Sequence, residues 1–268
     1  MVVNPKNLSR DNHYLPICYQ EGFTNADGKV WIKDTRKSDP ELRKPRMVGR
    51  KRSLYIIKEN GIETDRVEDF LDKTVESQFA ALSKRIKDDQ NKFVQMSVND
   101  VGVLTRFVAS QAVRTVGHKE TIEEQAGSQV DTNTFVRVMS RKMLMLLNAW
   151  INHPPTFRFY TSLPNIGDRF ITGDHPIIVI LPHDNKIWTP TENPELRITN
   201  LAEILQRPKY AFMVSLSPYV AVSIQSSGTG QIHLPPQEID PMDVRRFNDL
   251  IRSQCRVFTL ARDRDSLV

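Results

Sequence analysis

Apolar residues recur at two periods along this chain, and the change from one to the other divides it into three stretches. From Asn12 to Asn60 the pattern is strand-like. Val30 and Ile32 alternate with Lys33 and Asp34 after an Ala26-Asp27-Gly28 turn, and Leu54 to Ile57 forms another short β-rich run closed by Asn60-Gly61. From Asp65 to Asn152 the period lengthens to that of helices. Val67, Phe70, Leu71, Val75, Phe79, Leu82 and Ile86 mark one face of a long helix with Thr64 as its N-cap. A second helix is expected from the Ser97-Val98-Asn99-Asp100 cap, presenting Val101, Leu104, Phe107, Val108 and Gln111 and ending near Gly117. A third runs from about Asp131 to Asn152 with Phe135, Met139, Met143, Leu144, Leu147, Trp150 and Ile151 inward, until His153-Pro154-Pro155 stops it. Beyond Pro155 short β-branched and aromatic runs return: Phe157 to Thr161, Phe170 to Thr172, Ile177 to Leu181, Ala211 to Ser215, Val220 to Ile224 and Arg256 to Leu260. One late helix interrupts them, starting near Pro241 and burying Val244, Phe247, Leu250 and Ile251.

Strands grouped at both ends with helices between them predict an α+β fold, with a β core from the N- and C-terminal segments and a helical insertion at about residues 65–152. No repeat or Gly/Ser linker divides the chain, so residues 1–268 are expected to form a single domain. With 268 residues, 39% of them hydrophobic and 26% charged, the chain can bury a core without disulfides or metals, and collagen, coiled coil and wholesale disorder are excluded. The longest strongly apolar run, Pro176 to Pro182, is far short of the ~20 residues of a membrane-spanning helix. Met1 to Arg10 has no apolar signal core, and a cytoplasmic protein without a membrane partner is expected. Cys18 and Cys255 fit no zinc motif or disulfide framework and read as reduced thiols.

Charge is uneven. Of the net +5, the first sixty residues carry 13 Lys/Arg against 7 Asp/Glu, whereas residues 61–95 carry 6 against 8. Arg43, Lys44, Arg46, Arg50, Lys51 and Arg52 fall in a ten-residue stretch without an acid, which would attract nucleic acid or another polyanion. A solvated loop that serves solubility is the other reading of such a run.

Several chemistries are absent: the phosphate-binding loop, the dinucleotide fingerprint, His-Glu-x-x-His, Cys-x-x-Cys pairs and the Gly-x-Ser-x-Gly elbow. Two unusual segments remain, Asn12-His13-Tyr14-Leu15-Pro16 and Thr172-Gly173-Asp174-His175-Pro176. The second sets an acid and an imidazole on a turn between apolar strands, where a carboxylate can orient a histidine that titrates near neutrality. The alternative is an Asx-turn at Asp174, with His175 held extended by Pro176. His118, His153, His183 and His233 lie near expected helix ends or turns and suit the surface. Met139, Met143 and Met145 read as core filler.

The order of His13-Tyr14-Leu15-Pro16, Gly22-Phe23, Asp27 to Trp31, Asp65 to Phe70, Phe170 to Pro176, Ser215-Leu216-Ser217-Pro218 and Asn248 resembles the domain-of-unknown-function 4238 family over nearly the whole chain. In that family the middle block commonly reads Thr-Ser-Asp-Asn-Pro, so this chain carries Gly173 for the Ser and His175 for the Asn. The resemblance implies that His13, Tyr14 and Asp174 lie near one another, and it makes shared proton transfer by His175 implausible. It supplies no reaction.

The leading expectation is a hydrolase or nuclease acting on phosphodiesters. His13 serves as acid or base, and Asp174 orients it or holds a divalent cation. Tyr14 and His175 contact substrate, and the Arg43 to Arg52 cluster draws in the polyanion. The alternative is a noncatalytic nucleic-acid-binding or protein-interaction module, in which the two unusual segments clasp parts of one β core.

Overall fold

The computed structural model describes residues 8, 11–88, 96–162, 168–180, 210–226 and 232–268. Strand β1 (Asp11–His13) leads through Pro16 into the short helix α1 (Ile17–Glu21), followed by β2 (Val30–Asp34), β3 (Glu41–Arg43) and β4 (Arg50–Arg52). A hairpin of β5 (Ile57–Glu59) and β6 (Ile62–Thr64) turns at Asn60-Gly61. Both turn residues take positive φ, 51° and 81°, the geometry that an Asn-Gly two-residue loop favours. Pairing about this turn starts the strand at Ile57. Leu54, Tyr55 and Ile56 of the expected strand are core residues outside it.

The first helical rod is α2 (Arg66–Leu71), a π turn (Asp72–Glu76) and α3 (Ser77–Asp88). Leu71, Val75, Phe79, Leu82 and Ile86 are buried as their spacing predicts, but Phe70 is 50% exposed. Phe70 directly precedes Leu71 in α2, and the ~100° step between helical neighbours turns it to solvent while Leu71 faces the core. Asp65, not Thr64, occupies the N-cap, although Thr64 Oγ1 still accepts the Arg66 N–H at 3.3 Å.

Helix α4 (Val98–Gln111) begins at a complete Ser97/Asp100 capping box, as the sequence predicts. It stops at Gln111 instead of Gly117. Thr115 then accepts the His118 N–H and caps a helix that periodicity missed, α5 (Val116–Ala126). In α6 (Thr132–Asn152), capped by Asp131, the buried row is Phe135, Val136, Met139, Met143, Leu146 and Trp150. Leu144 and Ile151 follow members of that row directly, and the ~100° step between helical neighbours turns them to solvent, where they are 59% and 73% exposed.

The remaining elements are β7 (Thr156–Ser162), β8 (Thr172–Gly173), β9 (Ile178–Ile180), β10 (Ala211–Ser217), β11 (Val220–Gln225), β12 (Ile232–Ile239), α7 (Pro241–Gln254) and β13 (Phe258–Ala261). One sheet has the order β12-β7-β11-β10-β9, antiparallel except for the parallel β12–β7 pair. The sequence gives little sign of β12, because Pro235 and Pro236 interrupt it. They fall where its register shifts, between His233 and Gln237, on an edge strand that can spare the missing donors. The second sheet, β3-β2-β13-β8, joins N-terminal β2 to C-terminal β13 and realises the α+β core expected from both ends of the chain.

Between helices and sheets runs a continuous apolar cluster. Phe79 stacks on Phe107 at 3.6 Å, and Trp150 meets the Phe212 ring edge-on at 5.5 Å. A smaller cluster, including Phe170, Phe247, Ile251 and Cys255, lies under α7. Among the described residues no helix is long and apolar enough to cross a membrane.

Truncation should therefore separate the two aromatics. Trp150→Ala should cost about 3–5 kcal/mol through cavity formation, and Phe70→Ala less than about 1 kcal/mol because its ring is largely in water. Urea unfolding measures both. A similar loss in the two variants would contradict the packing described.

Candidate functional site

The Gly-Asp-His-Pro turn is stitched into the fold from several sides. Asp174 is fully buried. Its Oδ2 accepts the Arg256 N–H at 3.3 Å and its Oδ1 the Phe258 N–H at 3.2 Å, with further bonds from the Val257 N–H and the Cys255 thiol. Its own N–H donates to Phe258 O at 3.1 Å. Burial raises the Asp174 pKa, and these bonds oppose the rise. Asn248 accepts from the Ile171 N–H at 3.0 Å and donates to Arg169 O at 2.8 Å. Ser215 donates to Ile171 O at 2.5 Å, while Tyr19 joins Thr172 Oγ1 at 2.8 Å and Ser215 O at 2.7 Å. Residues 169–174 are thus tied to α1, β10, α7 and the loop before β13. The Ser of the related motif has no room here: a Cβ on Gly173 would lie 2.3 Å from Cys255 Sγ and 2.6 Å from Phe258 O.

His175 bonds Thr115 Oγ1 through Nδ1 at 3.0 Å, and its carbonyl accepts from Gln254 at 2.6 Å, so it links the start of α5 to the end of α7. Tyr14 is buried on the same side, its hydroxyl pKa raised by desolvation and then by the nearby Asp174 charge. His13 faces elsewhere, toward Arg46 O and the cavity that Glu68 lines. Tyr14 is therefore the N-terminal motif residue that senses Asp174.

The His13 ring is half-buried, with Nε2 3.1 Å from Arg46 O. A carbonyl only accepts, so Nε2 holds the proton in the neutral ring and the lone pair is on Nδ1. His13 borders a cavity of about 480 Å³ together with Asp65, Glu68, Asp69, Asp72 and Glu76. A second cavity of about 1050 Å³ adjoins it through Ile17, Cys18, Glu21 and Ala80 and reaches Lys44, Arg46 and Lys84. The two form one groove along α1 and the α2–α3 rod, acidic at one end and basic at the other.

Behind the acidic end lies Arg114, fully buried at the α4–α5 junction. Its Nη1 donates to Glu76 at 2.7 Å, its Nη2 donates to His13 O, and the guanidinium sits 5.7 Å from the Tyr55 ring centre. Glu68 accepts the His13 N–H, and its Oε2 is buried without a hydrogen-bond partner among the described residues. Burial pushes the Glu68 pKa up to about 7, against the pull of Arg114. The Cys18 thiol in the shared wall is pushed up to about 12 by desolvation, so it stays protonated at neutral pH. Cys255 is raised as well, by its burial.

Glu68, Glu76, Arg114 and Lys84 were not singled out from the sequence. The signals for Glu68 and Glu76 were the acidic excess of residues 61–95 and the Asp65 to Phe70 block; Arg114 and Lys84 had none. The members of the basic run have different surroundings. Lys44 and Arg46 enter the groove, Arg43 pairs with Glu41 at 2.7 Å, and Arg50 pairs with Asp11 at 3.1 Å. Lys51 and Arg52 are exposed on β4, on opposite faces of the strand.

His118 is buried in the first turn of α5, contrary to the surface expected of it, because a new helix begins where one was expected to end. His183 lies outside the described residues. Among the described residues no group of three His, Cys, Asp or Glu is arranged to hold a metal ion, and backbone N–H groups occupy both Asp174 oxygens.

A family profile described as a protein of unknown function (DUF4238) matches residues 11–153, just over half of the 268 residues. The match includes His13, Tyr14, Glu68, Glu76 and Arg114 and stops before the Phe170 block. No curated protein and no solved structure matches the chain.

Because Asp174 serves backbone donors, Asp174→Ala should destabilise by about 2 kcal/mol or more, and Asp174→Asn, which retains one acceptor oxygen, by less. Chemical denaturation checks this, and unchanged stability in Asp174→Ala would remove the structural role.

His118 generates a pH effect. Burial, then the Lys142 and His175 charges, lower its pKa well below 6.5. The unfolded chain takes up this proton first, so stability is complete above pH 6.5 and is lost as pH falls from there through the folded value. Comparing unfolding at about pH 7.5 and about pH 5.5 should show a smaller acid loss in His118→Gln than in the parent, at up to about 1.4 kcal/mol per pH unit.

Proposed function

The chain belongs to the DUF4238 family, whose description names no reaction, and we propose that it is a hydrolase whose acid–base centre is His13 with Glu68 at the acidic end of the groove. One observation carries the reading: Glu68, with a pKa of about 7 and an Oε2 that has no partner among the described residues, borders the same open cavity as the His13 imidazole. A carboxyl that exchanges its proton near neutrality, beside an imidazole in one cleft, meets the requirement of general acid–base hydrolysis. Asp174, buried behind Tyr14, positions the fold in this reading and does not touch substrate.

A second reading is favoured by the bonding of Asp174. In a noncatalytic interaction module the two unusual segments would only clasp the β core, and the groove would bind without turnover. The phosphodiester and nucleic-acid expectation has Lys44, Arg46 and Lys84 in its support and the carboxylates beyond them against it.

Hydrolysis of bis(p-nitrophenyl) phosphate, p-nitrophenyl acetate and a labelled casein, each followed against pH, tests the proposal. The wild type should turn over at least one of them, with a limb in kcat/KM near pH 7. Glu68→Gln should abolish that limb, and Glu68→Gln and His13→Ala should each lower the rate by about 100-fold or more. No turnover of any substrate by the wild type, or variants as active as the wild type, would favour the module.

A further inference from the structure

The groove carries more information in its charge order than in either end. Asp69, Asp72, Glu76, Ala80 and Lys84 follow one another along a single helical rod, so the sign of the wall reverses along the axis of the cleft. Between the ends the wall is Ile17, Cys18, Ala80 and Ala81, with the Glu21 carboxylate beside them where the two cavities meet. At the acidic end Lys73 pairs with Asp69 at 2.6 Å and Arg114 with Glu76 at 2.7 Å, and Glu68 and Asp72 form no ion pair among the described residues. At the other end Lys44, Arg46 and Lys84 are exposed and also form no ion pair among the described residues.

We infer that the groove takes an extended polypeptide segment with cationic side chains at one end, apolar side chains in the middle and anionic side chains at the other. The inference rests on the proposed site for its location and names the substrate class that site would accept. Charge complementarity decides it. A nucleic acid carries one sign along its whole length, so the phosphates that gain at Lys44, Arg46 and Lys84 are opposed at Asp72. A dipolar chain gains at both ends, and its apolar centre covers Ile17 and the alanines. The dimensions agree. From Asp69 to Lys84 the rod rises about 22 Å, which an extended strand covers in about seven residues. A chain of that length would pass His13 and Glu68 at its cationic end.

Fluorescence anisotropy with four labelled probes tests this: the peptides Lys-Lys-Leu-Ala-Leu-Glu-Glu, Lys-Lys-Leu-Ala-Leu-Lys-Lys and Glu-Glu-Leu-Ala-Leu-Glu-Glu, and a twelve-nucleotide oligothymidylate. The mixed-charge peptide should bind at least about tenfold more tightly than the other three, with the preference weakening as salt is raised. Lys84→Glu and Asp72→Lys, both at exposed positions, should each weaken it at least about fivefold, with circular dichroism confirming the fold. Tighter binding of the oligonucleotide or of either single-sign peptide, or affinity unchanged in both variants, overturns the inference. Mass spectrometry of the bound mixed peptide reads cleavage separately. A peptide that is bound but left intact supports the inference and counts against the hydrolase, whereas cleaved peptide supports both.

Discussion

The charge of Arg114 has to be buried and matched, and much of the molecule is arranged around that requirement. A guanidinium removed from water is tolerated only with close partners, and losing one partner of such a pair typically costs about 3–5 kcal/mol. Here the partners come from separate parts of the chain: Glu76 from the π turn of the first rod and the His13 carbonyl from β1, with the Tyr55 ring beneath. Tyr55 closes the circuit by donating to the Arg114 carbonyl at 2.7 Å, while its own N–H bonds Asn12 at 3.1 Å. One cation thus sets the helical block against the N-terminal strands, and the acidic end of the groove opens along that junction.

The same requirement places Glu68 in an unusual position. It shares the field of Arg114 with Glu76, but Glu76 holds the direct bond, so Glu68 is desolvated with less compensation. Its protonation near neutrality follows from second place in a buried pairing. A structural ion pair and a proton-exchanging carboxyl therefore arise from one arrangement.

Asp174 does something different. Backbone donors of residues 256–258 converge on it, and Asn248, Ser215 and Tyr19 hold the strand before it. These bonds join α1, β10, α7 and β13 around one short segment, which explains why polar residues there are spaced so far apart in sequence. β1 ends at His13 and the chain bends at Tyr14, and there the clasp parts from the groove: Tyr14 is buried near Asp174, whereas His13 lines the cavity.

Local physics was legible in the chain. The Ser97 cap, the Asn60-Gly61 turn, the Pro241 helix start and the rows from Leu71 to Ile86 and from Phe135 to Trp150 all depend on groups within a few residues of one another. The α+β class followed from them. Phase and partnership were decided elsewhere. Leu71 took the inward place and left its neighbour Phe70 outside, a helix restart at Thr115 put His118 inside, and the proline-bearing β12 found an edge where its missing donors do no harm. The oddness of His13, Tyr14 and Asp174 was visible, but only the fold turned Tyr14 toward Asp174 and set His13 beside Glu68. Burial and electrostatic pairing join residues distant in sequence, and the energy of a buried charge is a property of the space around it, which no linear spacing contains.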